Sequence, residues 1–144
     1  MTVAAILRHK GHDIASVAPT AQISQVATTL AEWGIGAVLV RDAAGQLLGI
    51  VSERDIVRCL ARLGAGCLDM TAAQLMTRVL RTVTPTTTAD QAMSLMTEGR
   101  VRHLPVLDAG ALVGMISIGD VVKARLDAQT QEVDNLRAYV AGSV

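Results

Sequence analysis

The sequence predicts an α/β fold built from two copies of one β-α-β-β-α unit, packed with pseudo-twofold symmetry. Three observations predict it: an internal repeat over most of the chain, helical and extended hydrophobic periods in the same order within each copy, and strand runs that are apolar at successive positions. Shifting the sequence by 66 places lays residues 14–42 on 80–108 with seven identities in 29 positions, among them Val17/Val83, Pro19/Pro85, Gln25/Gln91 and Asp42/Asp108. Dropping one residue at Ala43-Ala44 changes the shift to 65, and 45–58 then matches 110–123 with six identities in 14, including Gly49/Gly114, Ser52/Ser117 and Asp55/Asp120. Apolar pairs such as Val26/Ala92, Leu30/Met96, Val38/Leu104 and Ile50/Met115 keep their character, which is the mark of a duplication.

Each element follows from its local pattern. A short extended piece leads to a proline in both copies, at 14–17 and 80–83, because the residue before proline is pushed away from helical angles. Apolar residues at spacings of three and four then predict a helix, through Ile23, Val26, Ala27 and Leu30 in one copy and Ala89, Ala92, Met93 and Met96 in the other. Two apolar runs follow, 37–40 and 47–51, separated by Arg41-Asp-Ala-Ala-Gly45; the second copy has 104–107, Asp108-Ala-Gly110, then 111–116. Asp and Gly between such runs predict a hairpin. A second helix starts near Ser52 and near Ser117, carrying Ile56, Val57 and Leu60 or Val121, Val122 and Leu126.

Strands apolar at every position need cover on both faces, so one copy alone does not suffice and the two should form one domain. The expected division is 1–68 for the first repeat with its N-terminal segment, 69–126 for the second repeat, and 127–144 for a C-terminal helical extension. In that extension Val122, Leu126, Gln129, Val133, Leu136 and Val140 recur at 4, 3, 4, 3 and 4, a heptad-like seam on a helix expected from Ser117 to about Val140. Such a seam either packs back on its own domain or forms a dimer contact.

Composition narrows the function. The 144 residues carry 13 Lys plus Arg against 13 Asp plus Glu, a formal net charge of zero that offers nucleic acid or an anionic membrane no general attraction. There is no Phe, one Trp and one Tyr, which removes base stacking on aromatic platforms as a binding mode. Mean hydropathy is high at +0.40, yet the apolar runs are short and none approaches the roughly 20 residues of a membrane span. The N-terminus has no basic run before its apolar residues and does not read as a signal peptide, so a cytoplasmic protein is expected. Cys59 and Cys67 read as small buried apolar groups. No cluster of His, Cys or carboxylates has metal-ligand spacing, and His9 and His12 read as surface groups. Gly34-Ile-Gly36 lacks the third glycine of a dinucleotide fingerprint and reads as a tight turn. Gly114-Met-Ile-Ser117-Ile-Gly119 misses the nucleophile-elbow spacing by one residue, so no enzyme activity is expected.

Gly49-Ile-Val-Ser52-Glu-Arg-Asp55-Ile-Val57 and Gly114-Met-Ile-Ser117-Ile-Gly-Asp120-Val-Val122, each preceded by a hairpin such as Arg102-His-Leu-Pro-Val-Leu-Asp108, resemble the CBS domain, the cystathionine-β-synthase-type repeat. The resemblance covers residues 3–126 and is to a stand-alone pair, or Bateman module. It implies a shallow cleft between the repeats that binds an adenosine nucleotide, AMP above all, with ATP, ADP or NAD(H) as alternatives. The Asp of each Ser-x-x-Asp motif, Asp55 and Asp120, would hold the ribose hydroxyls, with Ser52 and Ser117 towards phosphate. Positions lining base and phosphates would be Asp13, Ala15, Ile35 and Gly36 from the first copy and Arg81, Val101, Arg102 and His103 from the second, completed by Arg54 and Met115.

Elementary chemistry agrees with that carry-over. A carboxylate accepts two hydrogen bonds from a vicinal diol, and a Ser at a helix start sits among N–H groups that favour an anion. Arg78, Arg81, Arg100, Arg102 and His103 concentrate cations in the second copy, making it the expected phosphate side. Other readings compete. Ser-x-x-Asp before an apolar helix is also a capping box, and the basic residues at 100–103 also suit a solvated strand end. Gly36 and Leu39 face Arg102 and Pro105 in the repeat alignment, so the two half-sites are expected to be unequal. The sequence thus predicts a nucleotide-binding regulatory module acting through a homodimer or a regulated protein partner. Its rivals are a structural, stress-associated dimer without ligand and a nucleotide-hydrolysing enzyme.

Overall fold

A computed structural model describes residues 1–78 and 80–142; Ser143 and Val144, the last two residues of the expected C-terminal extension, lie outside the described residues. The order is α1 (Val3–Lys10), β1 (Ser16–Val17), α2 (Ile23–Trp33), β2 (Ala37–Arg41), β3 (Leu47–Ser52), α3 (Glu53–Leu63), a 3-10 turn (Gly64–Asp69), α4 (Ala72–Leu75), α5 (Ala89–Gly99), β4 (His103–Asp108), β5 (Ala111–Ser117) and α6 (Ile118–Gly142). The β-α-β-β-α order is present in the first copy, and the second copy differs only in its opening strand. The chain forms two compact units, one of Asp13–Arg81 with Ala109–Val113, the other of Met1–His12, Thr82–Asp108 and Gly114–Val144.

In the first unit β1 runs parallel to β2 (Ser16 opposite Leu39, Val17 opposite Val40) and β2 antiparallel to β3 (Ala37 opposite Ser52, Val40 opposite Gly49). Ala37, Val38, Leu39 and Val40 are all fully buried, as a strand covered on both faces requires. The hairpin turn is held by Asp42, whose Oδ1 accepts from Ala44 and Gln46 N–H, each at 2.9 Å. The core gathers Ile23, Val26 and Leu30 of α2 with Val38, Val40, Val51, Ile56, Cys59 and Cys67. Both cysteines are free thiols in this core; burial, followed by the hydrogen bond with Cys59, pushes the Cys67 thiol up to about 11. A thiol held that far above neutrality is a packing group.

In the second unit the duplicate of the Val17/Val40 pair is Val83 opposite Val106, also parallel, but it is a single bridge where the first copy has a two-residue strand. Pro105 is the physical reason. Its counterpart Leu39 donates its N–H to the Ala15 carbonyl at 3.1 Å, and proline has no N–H to give.

Helices α1 and α4 were not expected from the sequence, and they are equivalents. Ile23 N–H bonds the Met70 carbonyl at 2.8 Å and Ala89 N–H the Met1 carbonyl at 2.9 Å. Ala72 N–H bonds Ala21 and Val3 N–H bonds Thr87; Ala73 N–H bonds Pro19 and Ala4 N–H bonds Pro85, at 2.8–3.0 Å. Each helix therefore zips onto the approach to its own unit's long helix, α4 to α2 and α1 to α5. The N-terminal segment, grouped with the first repeat in the sequence reading, here joins elements of the second. A side chain closes over a strand glycine in each unit, Leu7 from α1 and Met76 from the residue that ends α4. A Cβ on Gly49 would lie 2.7 Å from Met76 Sδ and 2.8 Å from the Thr77 carbonyl oxygen, and one on Gly114 would lie 2.9 Å from Leu7 Cδ2. Those positions demand glycine because another chain segment occupies the Cβ space.

Candidate functional site

Two polar corners carry the predicted residues, one at the head of α3 and one at the head of α6. In the first, Ser52 caps α3: Asp55 N–H donates to Ser52 Oγ at 3.3 Å, while Asp55 Oδ2 accepts from Ser52 N–H at 2.9 Å and Ser52 Oγ–H at 3.0 Å. Glu53 N–H, one of the orphan donors of the helix start, bonds the Gly36 carbonyl at 2.9 Å, which pins the turn after α2 to this corner. Gly34 ends α2 in the left-handed conformation at φ 63°, the tight turn expected of it. Ala15 is buried, with its carbonyl taken by Leu39. Asp13 and Arg54 are exposed, Ile35 and Gly36 half-buried.

A shallow groove of about 620 Å³ runs from this corner between α2 and α3, lined by Ala27, Leu30, Ala31, Gly34, Ile35, Gly36, Glu53, Ile56 and Val57. Its walls are apolar with one carboxylate. Such a surface suits apolar contact and offers a phosphate nothing.

The second corner repeats the scaffold. Asp120 N–H donates to Ser117 Oγ at 3.1 Å, Ser117 N–H to Asp120 Oδ2 at 2.8 Å, and Ile118 N–H to the Arg102 carbonyl at 2.8 Å. The capping reading of both Ser-x-x-Asp motifs is thereby realised. In both corners only Oδ2 of the carboxylate is used; Oδ1 of Asp55 and of Asp120 accepts no hydrogen bond from the described residues.

Lys10 makes the difference. From the last turn of α1 its ammonium reaches Asp120 Oδ2 at 2.6 Å and the buried Met115 carbonyl at 2.7 Å. Desolvation would raise the Asp120 carboxyl, but the Lys10 hydrogen bond, then the Ser117 N–H and the Lys10 charge, outweigh it and hold the group below its ordinary value. His103, half-buried beside them, is pushed down first by burial and then by the Lys10 charge, against the pull of Asp120. With its value lowered, His103 adds little to the positive charge expected of the second copy from Arg78, Arg81, Arg100, Arg102 and His103. Val101 and Arg102 are exposed, Val101 with its N–H bonded to the Met96 carbonyl at 3.0 Å. Arg81 is exposed.

Sequence reasoning missed Lys10. Its signal was the helix that it ends, legible only through Met1-Thr-x-Ala4 repeating as Met70-Thr-x-Ala73 at a shift of 69, outside the two shifts that align the rest. Of the two outcomes open to the heptad-like seam, packing back on its own domain is not seen: from Arg125 to Gly142 every residue of α6 is exposed. No group of three or more His, Cys, Asp or Glu able to hold a metal occurs among the described residues. Nor is any of their helices long and apolar enough to cross a membrane.

Twin α/β units, each with a capped Ser-x-x-Asp helix beside a short hairpin, define a tandem-repeat module. The chain belongs to the CBS domain family, whose pattern it matches at residues 3–62 and 72–127. It is 37% identical over 118 residues to the mitochondrial CBS domain-containing protein CBSX3 of Arabidopsis thaliana, covering 79% of this chain but only 57% of that protein's length. A CBS-domain protein of Agrobacterium tumefaciens is 46% identical and superimposes with a TM-score of 0.84 over 86% of this chain and 92% of that one. A CBS domain protein of Pyrobaculum aerophilum, solved in complex with AMP, is 30% identical with a TM-score of 0.74 over 83% of this chain and 89% of that one.

Proposed function

We propose that this protein is a regulatory module that binds an adenosine nucleotide, AMP first, with ATP, ADP and NAD(H) as the other candidates. It acts as a homodimer or on a protein partner and has no catalytic activity of its own. The observation that carries the reading is the carboxylate of each Ser-x-x-Asp corner, which uses Oδ2 for the fold and whose Oδ1 accepts no hydrogen bond from the described residues. An open carboxylate oxygen beside a capped helix start suits a ribose hydroxyl. The AMP bound by the Pyrobaculum relative supports the same class of ligand. In this reading Asp55 and Asp120 take ribose, Ser52 and Ser117 lie towards phosphate, and Arg54, Arg81 and Arg102 supply charge. Asp13, Ala15, Ile35, Gly36, Val101, His103 and Met115 complete the lining.

A thermal-melt series with AMP, ADP, ATP and NAD(H) at millimolar concentration tests it. A ligand that binds only the native fold adds about 2.7 kcal/mol at a hundredfold excess over Kd. Unchanged melting with all four sinks the proposal. Asp120→Ala should weaken binding by roughly 2–3 kcal/mol if both hydroxyls bond the carboxylate. The Lys10–Asp120 bridge favours a second reading, in which this corner is purely structural; Asp120→Ala would then cost stability and leave affinity intact.

A further inference from the structure

We propose that the exposed length of α6 pairs with α6 of a second copy of this chain as a parallel two-stranded coiled coil. The proposal deepens the homodimer reading above by assigning the contact and its direction. Helix α6 has 25 residues, about 37 Å at 1.5 Å per residue, yet only Val121 and Ala124 of it are buried. A helical segment of that exposed length is marginal in water when nothing packs against it. It contains Thr130, Val133, Asp134, Asn135 and Val140, all weak helix formers, so a partner must supply what propensity does not.

The sequence of the exposed face says what the partner is. Leu126, Val133 and Val140 fall at a positions and Val122, Gln129 and Leu136 at d positions of one continuous heptad register. Val122, Leu126, Val133, Leu136 and Val140 are 41–63% exposed. An apolar a/d seam with one polar d residue is self-complementary, so another copy of the same helix fits it. Charge sets the direction. In a parallel pair, Glu132 at g faces Arg137 at e of the second copy, and the contact occurs twice by symmetry. In the antiparallel register that aligns the same seam, Glu132 faces its own copy and Lys123 faces Arg137, both like-charged pairs. Neither Glu132 nor Arg137 makes an ion pair within the chain among the described residues, whereas Arg125, the preceding g residue, is held by Asp90 at 3.4 Å.

Single-cysteine crosslinking of the full chain tests this, with mass in solution measured alongside by light scattering. The native Cys59 and Cys67 are buried and serve as the unreactive background. Leu136→Cys should give covalent dimers under mild oxidation, since a d residue meets its own copy in a parallel pair, and Ala138→Cys on the far face should not. Glu132→Arg and Arg137→Glu should each weaken association about tenfold, and the double variant should restore it. Crosslinking of Leu136→Cys only when mixed with Leu126→Cys would overturn the parallel direction. A full-length dimer in which neither crosslinks would overturn the α6 contact while leaving the homodimer standing. A full-length monomer would overturn both.

Discussion

The corner at the head of α3 and the corner at the head of α6 share a backbone and differ in charge. Glu53 N–H to the Gly36 carbonyl and Ile118 N–H to the Arg102 carbonyl are the same bond at 2.9 and 2.8 Å, and both Asp side chains close a capping box. Among the described residues, however, Asp55 accepts hydrogen bonds from Ser52 alone, while Asp120 is shared between Ser117 and the Lys10 ammonium. A motif identical in both copies therefore does not have one electrostatic state. The backbone bonds recur because they depend on the hydrophobic pattern and the caps, which duplicated together. The cation arrives on a separate helix and reaches one corner.

The largest effects should come from the plugs that tie α1 and α4 to their units. Leu7→Ala removes a side chain 1% exposed and Met76→Ala one 9% exposed, each at a cost of about 2–5 kcal/mol in denaturant unfolding, with Leu7 the greater. Because α1 also carries Lys10, Leu7→Ala should in addition loosen the hold on Asp120, which Met76→Ala leaves untouched. A Leu7→Ala variant as stable as the parent would break the equivalence of the two helices.

Next come the glycines beneath those plugs. Gly49→Ala should destabilise by about 1–3 kcal/mol because the new methyl meets the Thr77 backbone carbonyl as well as Met76. Gly114→Ala should cost less, since the nearest atoms it meets belong to the Leu7 side chain and none to backbone. Equal losses in calorimetry would show that the side chain yields no better than the backbone.

The helix ends sharpen the comparison further. Gly34 and its counterpart Arg100 both hold positive φ, at 63° and 52°. Nothing lies within 4 Å of a Cβ on Gly34, so Gly34→Ala exposes the backbone strain alone, about 1 kcal/mol. A loss well above that would mean the turn is constrained by more than its dihedral.

The smallest effects are electrostatic and depend on pH. His103 has a lowered folded pKa, so its contribution is complete above the unfolded value near 6.5 and is lost as pH falls below it, because the unfolded chain takes up the proton first. Asp120 is also lowered, from 3.8, so its contribution is present above that value and lost as pH falls through the folded one. Melting followed from pH 7 to 3 should show His103→Gln flattening the upper part of the decline. Lys10→Met should flatten the part below about pH 4 and cost at most about 1 kcal/mol at neutral pH. A decline unaltered by both would place the acid sensitivity elsewhere.

Much of this was legible beforehand. The shifts of 66 and 65 carried the strand pairs into register, so that Val17/Val40 and Val83/Val106 are the same contact, and Ser52 and Ser117 were placed as helix starts. The candidate site was legible in its Ser and Asp members and illegible in its charge. Reading His103 as a cation missed its burial, which no single-position pattern reports. The heptad seam was visible, but whether it covered its own domain turned on where α6 leaves the unit.

The sequence by itself determined the repeat, the element order, the buried strands and the caps, because each is a local pattern of hydrophobic period and hydrogen-bonding residue type. Only the tertiary structure decided that α1 joins the second repeat's elements, that Lys10 sits on Asp120 and that residues 125–142 stand exposed. Those outcomes join residues as far apart as 110 positions. Contacts at that range depend on how whole elements pack, which the periodicity of any one segment does not encode.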